Sequence, residues 1–156
     1  MKLTMIALAA AAIAATAPAS AQVSLENRVL KESVRVASDG TRTTTLAPAG
    51  TITPGNVAVY VMTFRNAGRQ AATNLQIANA VPAGVRYAGP GQNSPEPLVS
   101  IDGGKTFGRL TGQTVRSANG ASRAAQFSDV TNVRWTVAGP LAPGASGNVS
   151  YRGVLQ

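Results

Sequence analysis

The stretch NVAVYVMTFRN, residues 56–66, decides the fold. Its apolar side chains fall into two alternating sets: Val57, Val59 and Val61 on one face, Tyr60, Met62 and Phe64 on the other. Period two with β-branched and aromatic residues reads as a strand. Two apolar faces place that strand centrally, covered on one side and partly on the second. Pro54-Gly55 opens it, and Asn66-Ala67-Gly68 closes it with turn chemistry.

The same alternation recurs downstream. Leu75 and Ile77 alternate with Asn74, Gln76 and Ala78 until Pro82-Ala83-Gly84; a short run at 85–88 then enters Gly89-Pro90-Gly91. Runs at 98–101 and 106–110 flank Asp102-Gly103-Gly104 and predict a hairpin. Residues 111–128 are polar and read as a long loop, with room for a short strand around Val115. Val133, Trp135 and Val137 alternate with Arg134 and Thr136, and a last strand runs over 148–155. Trp135 reads as a core aromatic, the lesser reading being a sugar-stacking platform. Upstream, residues 23–36 mix alternation with a weak helical spacing through Leu25, Val29 and Leu30; Asp39-Gly40 marks a turn, so most of this region is expected to be a strand pair.

About seven to nine short strands, with no helical crossovers between them, predict an all-β antiparallel sandwich. The segment order also resembles a bacterial cell-envelope repeat known as domain of unknown function eleven. The resemblance is carried by Pro54-Gly55, the Asn66-Ala67-Gly68 turn, Ala72-Thr73-Asn74, Pro82-Ala83-Gly84 and the closing Trp135 strand with its Pro143-Gly144 turn. It covers residues 52–156 and implies an immunoglobulin-like fold. Residues 22–51 have no counterpart in that pattern, nor does the insertion that holds the Asp102 hairpin. The family usually occurs as tandem arrays, whereas one copy is present here.

The N-terminus reads as a cleavable signal peptide. Lys2 precedes an apolar run over 3–15, and Ala19-Ser20-Ala21 is a small-x-small cleavage site that leaves Gln22 first. The apolar run is shorter than the roughly 18–20 residues a membrane span needs. The expected layout is therefore a signal peptide at 1–21, an extension at 22–51 and the immunoglobulin-like domain at 52–156. Export to the periplasm or cell surface follows, with no transmembrane span. No cysteine occurs, which excludes thiol chemistry and disulfide staples.

Without Lys2 the chain carries 13 basic residues against six acidic ones. Such a balance suits anionic surface polymer; the charges are scattered and form no stripe, which argues against nucleic acid. The absence of histidine removes imidazole acid–base catalysis and the serine triad. None of the carboxylates sits in a setting that suggests a glycosidase pair; Glu96, for one, lies between two prolines in a Gly/Pro loop. No cofactor is implied.

The run SIDGGKTF, 100–107, is similar to the Asp box that sialidases repeat in their propeller blades. The resemblance implies a folding device: Ser100, Asp102, Gly104, Thr106 and Phe107 would build a hairpin, with Asp102 accepting turn amides and Phe107 packing beneath. One small domain cannot supply six blades, and a motif of fold does not establish chemistry. Two functions remain open. One is a structural or protein-interaction module of the envelope, pairing through an edge strand at 22–37 with another copy or an envelope partner. The other is a binding module for anionic surface glycan or polymer through Arg65, Arg69, Arg86, Arg109, Arg116 and Arg123.

Overall fold

The computed structural model describes residues 22–118 and 120–156, so the expected signal peptide at 1–21 lies outside the described residues. Ten strands form three antiparallel sheets among these residues. β1 (Val23–Val36), β2 (Arg42–Pro48), β3 (Val57–Asn66), β5 (Val85–Pro90) and β10 (Ser146–Leu155) make a five-stranded sheet in the order β2-β1-β3-β10-β5. β4 (Gln76–Ala80), β6 (Leu98–Ser100) and β9 (Asn132–Thr136) make a second in the order β4-β9-β6. β7 (Thr114–Arg116) and β8 (Ser122–Ala124) pair as a separate hairpin.

β3 lies at the middle of the large sheet. Met62 and Phe64 point to its inner face, where Val149 and Tyr151 of β10 stand beside them. Ile77, Val99, Val133 and Trp135 of the three-stranded sheet close the same core. Full burial of such side chains contributes about 1.5–3 kcal/mol each. The second face of β3 is also partly covered: Val59 is buried, while Val57 and Val61 are half-buried.

Asn66 ends β3 and is fully buried. Its Nδ2 donates to the carbonyls of Gln70 and Leu141 at 2.7 and 2.8 Å, and its Oδ1 accepts the Gly68 N–H at 3.0 Å. The turn residue is thus a buried clamp that ties three backbone groups of two separate loops together. Trp135 is equally enclosed, its indole N–H donating to the Pro95 carbonyl at 2.8 Å.

Three expectations need correction. Residues 22–37 form an edge only in part: β2 covers β1 from Leu30 to Val36, while residues 23–29 have no strand on that side among the described residues. β1 pairs with β3 from Val23 to Glu32 and with β2 from Leu30 to Val36, because fourteen residues are long enough to serve two partners in staggered register. Second, the run at 106–110 forms no strand beyond one bridge between Val99 and Gly108. There the Gln113 side chain replaces the ladder, its Nε2 donating to the Val99 and Gly108 carbonyls at 2.7 and 3.1 Å. Third, within 111–128 the expected short strand around Val115 is present as β7, but it pairs with a second strand, β8, and the hairpin lies between two 3-10 turns.

Candidate interaction surface

β1 and β2 outrun the rest of their sheet. The ladder to β3 stops at Glu32 opposite Val57, whereas that to β2 continues to Val36 opposite Arg42. The far end is therefore a two-stranded ribbon, wetted on both faces. Every residue of β2 is exposed, and its outer edge has no strand partner among the described residues.

Exposed apolar side chains concentrate on these two strands. Of the seven large ones among the described residues, Leu25, Val29, Val34, Val36 and Leu46 lie on β1 and β2. Val36 is the most open, at 58% exposure. Strand alternation sets Val34, Val36 and Leu46 on the sheet's outer face, while Leu25 and Val29 share the inner face with Phe64 and Tyr60.

A shallow groove of about 400 Å³ runs along the outer face between the ribbon and residues 90–92, lined by Glu32, Val34, Arg42, Thr44, Gln92 and Arg152 among others. Within it Arg152 donates to Glu32 at 2.6 Å, and Arg152 Nε has no hydrogen-bond partner.

The six arginines expected to meet anionic polymer are not gathered into one patch. Arg65 is the second-last residue of β3, and Arg69 lies in the turn just beyond it. Arg86 sits on β5 opposite Val154, towards the other end of the sheet. Arg109, Arg116 and Arg123 belong to the insertion, the last two in facing strands of the β7–β8 hairpin. Arg123 is occupied internally: its two terminal nitrogens grip both oxygens of Asp129 at 2.6 and 2.7 Å. That fork lowers the Asp129 pKa to about 2, helped by the Gln126 N–H.

The 100–107 hairpin folds around two side chains. Ser100 is fully buried. Its hydroxyl donates to Asp102 Oδ1 at 2.6 Å and accepts the Gly104 N–H at 2.8 Å. Asp102 accepts the Lys105 and Thr106 N–H groups, each at 3.0 Å, and the Thr106 hydroxyl at 2.6 Å. These donors, Ser100 first, hold its carboxyl well below the usual range. Gly103 and Gly104 both adopt positive φ. Phe107 does not enter the core; its ring lies under the Arg134 guanidinium, 4.1 Å from the ring centroid. Every acceptor oxygen of Asp102 is engaged by its own turn, so the hairpin offers structure and no open chemistry.

No cluster of three or more metal-ligating side chains exists among the described residues, nor any helix long and apolar enough to cross a membrane. Sequence reasoning missed one further feature, a small cleft of about 220 Å³ where Glu96 meets Tyr87, Pro97, Leu110 and Phe127. Spacing gives no signal for it, because its walls come from four separate segments. No protein-family model, curated protein or solved structure matches this chain.

Proposed function

We propose that this chain is a non-catalytic, exported module of the cell envelope, an immunoglobulin-like β-sandwich of the domain-of-unknown-function-eleven kind, that associates through the β1–β2 ribbon. One observation carries the reading: three exposed apolar side chains, Val34, Val36 and Leu46, share one face of a ribbon whose outer edge has no strand partner among the described residues. Open edges recruit strands, and a second copy of the ribbon is the simplest partner. The sandwich reading is supported by the two sheets that contribute side chains to one core. Export is supported by the sequence of residues 1–21.

Light scattering on residues 22–156 over a concentration series tests this. A mass that rises with concentration, and that stays monomeric when Val36 and Leu46 are both replaced by lysine, is the expected result. A parent that stays monomeric throughout would rule out self-association. Deleting 22–37 is the wrong probe, because it strips β1 from β3 and takes the fold with it.

A second reading, capture of anionic surface polymer, is favoured by one fact. Arg65, Arg69, Arg86, Arg109 and Arg116 have no acidic partner among the described residues, whereas Arg123 does. Binding to heparin-like polymer that weakens steeply between low and physiological salt supports it; salt-insensitive inertness rejects it.

A further inference from the structure

Glu96 stands apart from the other five carboxylates. Glu26, Glu32 and Asp129 are ion-paired with Arg28, Arg152 and Arg123. Asp39 accepts the Thr41 N–H, and Asp102 is filled by its own turn. Glu96 has no hydrogen bond or ion pair among the described residues, in a chain with more than twice as many basic side chains as acidic ones. An arginine-rich chain that leaves one carboxylate unpaired leaves it available to an outside cation.

Its placement is fixed. Pro95 and Pro97 flank it, restricting the backbone. The preceding carbonyl, that of Pro95, is held by the Trp135 indole at 2.8 Å. Further back, the Gly91 N–H donates to the Ser150 carbonyl and the Ser150 N–H to the Ser94 hydroxyl, both at 2.9 Å. The loop is thus anchored to β9 and β10 before anything binds, which lowers the ordering cost of recognition.

The cleft beside it has apolar walls and a polar mouth. Pro97, Val99, Leu110 and the exposed ring of Phe127 line it, with Tyr87 against Phe127 edge to face at 5.4 Å. Tyr87 is 3% exposed, and its hydroxyl has no hydrogen-bond partner among the described residues. Burial, and then the charge of Glu96, push that phenol up to about 12, so it is neutral at ordinary pH.

From these features we infer that the Glu96 cleft binds a primary alkylammonium, the group carried by a lysine side chain or a free linear diamine. A carboxylate and a phenol oxygen are two acceptors for a compact three-donor cation, and the aromatic rings favour positive charge. The apolar walls take the methylene stem. An anion meets the charge of Glu96, and a purely apolar guest leaves both polar groups unpaired. The site does not depend on the β1–β2 ribbon and stands or falls separately from it.

Amide shifts of ¹⁵N-labelled protein, residues 22–156, test this with two probes: 1,5-diaminopentane and Nα-acetyl-lysine N′-methylamide. Saturable shifts at Glu96, Val99, Leu110 and Phe127 are expected. Affinity should fall at least tenfold in Glu96→Gln, and 1-pentanol should give no saturable shift at all. Both Glu96 and Phe127 are exposed, so Glu96→Gln and a second variant, Phe127→Ala, retain the fold, and the second also weakens binding. Binding of the diamine alone identifies a free polyamine. Binding of the lysine amide alone identifies a polypeptide side chain, and binding of both shows that stem and ammonium suffice. Absence of saturable shifts with either amine, or unchanged affinity in Glu96→Gln, overturns the site.

Discussion

Tyr60 on β3 and Tyr151 on β10 lie face to face, ring centroids 4.8 Å apart and planes 7° from parallel. The two residues are direct partners in register. The Tyr151 hydroxyl also donates to the Ala80 carbonyl at 3.2 Å and accepts from Asn79 Nδ2 at 3.1 Å. One fully buried side chain therefore joins the centre of the large sheet to β4 of the smaller one. Tyr151→Phe keeps the stack and loses both hydrogen bonds, an expected cost of about 1–3 kcal/mol. Tyr151→Ala removes the ring as well and should cost about 3–5 kcal/mol. Urea unfolding of both variants checks the order; equal losses would mean the hydroxyl contributes nothing.

Asn66→Ala should be among the most damaging polar substitutions in the chain. It removes three hydrogen bonds made by a fully buried side chain, leaving the Gln70 carbonyl and the Gly68 N–H without that partner, while the Leu141 carbonyl keeps the Ala72 N–H. A loss of about 2–3 kcal/mol is expected from unsatisfied buried groups. Asn66→Asp keeps the acceptor but cannot donate, and should be no milder. Thermal melts of the two variants give the comparison.

Gly147→Ala tests close packing. An added Cβ would stand 2.6 Å from Phe64 Cζ, and the ring cannot retreat without disturbing the core. Overpacking of this kind costs about 1–3 kcal/mol. The paired variant Phe64→Leu, Gly147→Ala should recover part of that loss, since the branched side chain is shorter. A single substitution as stable as the parent would show that the ring moves freely.

Stability should fall at both ends of the pH scale. Asp129 is lowered to about 2 by Arg123, and Asp102 is held down by Ser100 and Thr106, against an ordinary value of 3.8. Depressed folded values stabilise above the unfolded pKa, so this contribution is present above about pH 4 and is lost as pH falls towards 2. In Asp129→Asn the acid slope of the melting temperature should be shallower; parallel curves for parent and variant would contradict the assignment.

All three tyrosines are raised above the ordinary value of 10: Tyr60 and Tyr151 by burial, Tyr87 to about 12 by burial and Glu96. Raised folded values leave their contribution intact below pH 10 and remove it as pH climbs towards 12. Phenolate absorbance should therefore appear together with unfolding. Tyrosines that ionise near pH 10 in a still-folded protein would show that burial does not protect them.

What could be read from the sequence was whatever alternation and turn chemistry encode locally. β3, β9 and β10 announce themselves through period two, and Asn66 through its turn, although its buried donor role depends on Leu141, a residue distant in sequence. β1 was ambiguous because Leu25 and Val29, four apart, share one face of a strand as readily as one face of a helix. Val115, half-buried, marks β7, but β8 is fully exposed and polar, so no apolar pattern marks it or the hairpin it completes. The Glu96 cleft was illegible for a different reason. Tyr87, Glu96, Leu110 and Phe127 meet only after three loops have packed, and a carboxylate's lack of a partner is a property of three dimensions.

The pairing of β3 with β10 also sets the order of events in time. The centre of the large sheet forms only when residues 57–66 meet residues 146–155, with all three strands of the second sheet looped between them. Such a contact rewards the chain late, after a long closure has been made, and sheets of this kind fold in milliseconds to seconds. The β1–β2 and β1–β3 pairs lie within residues 23–66 and can form first, but the sheet's centre is complete only with β10. The core that Met62 and Phe64 share with Val149 and Tyr151 therefore closes only when the last strand arrives.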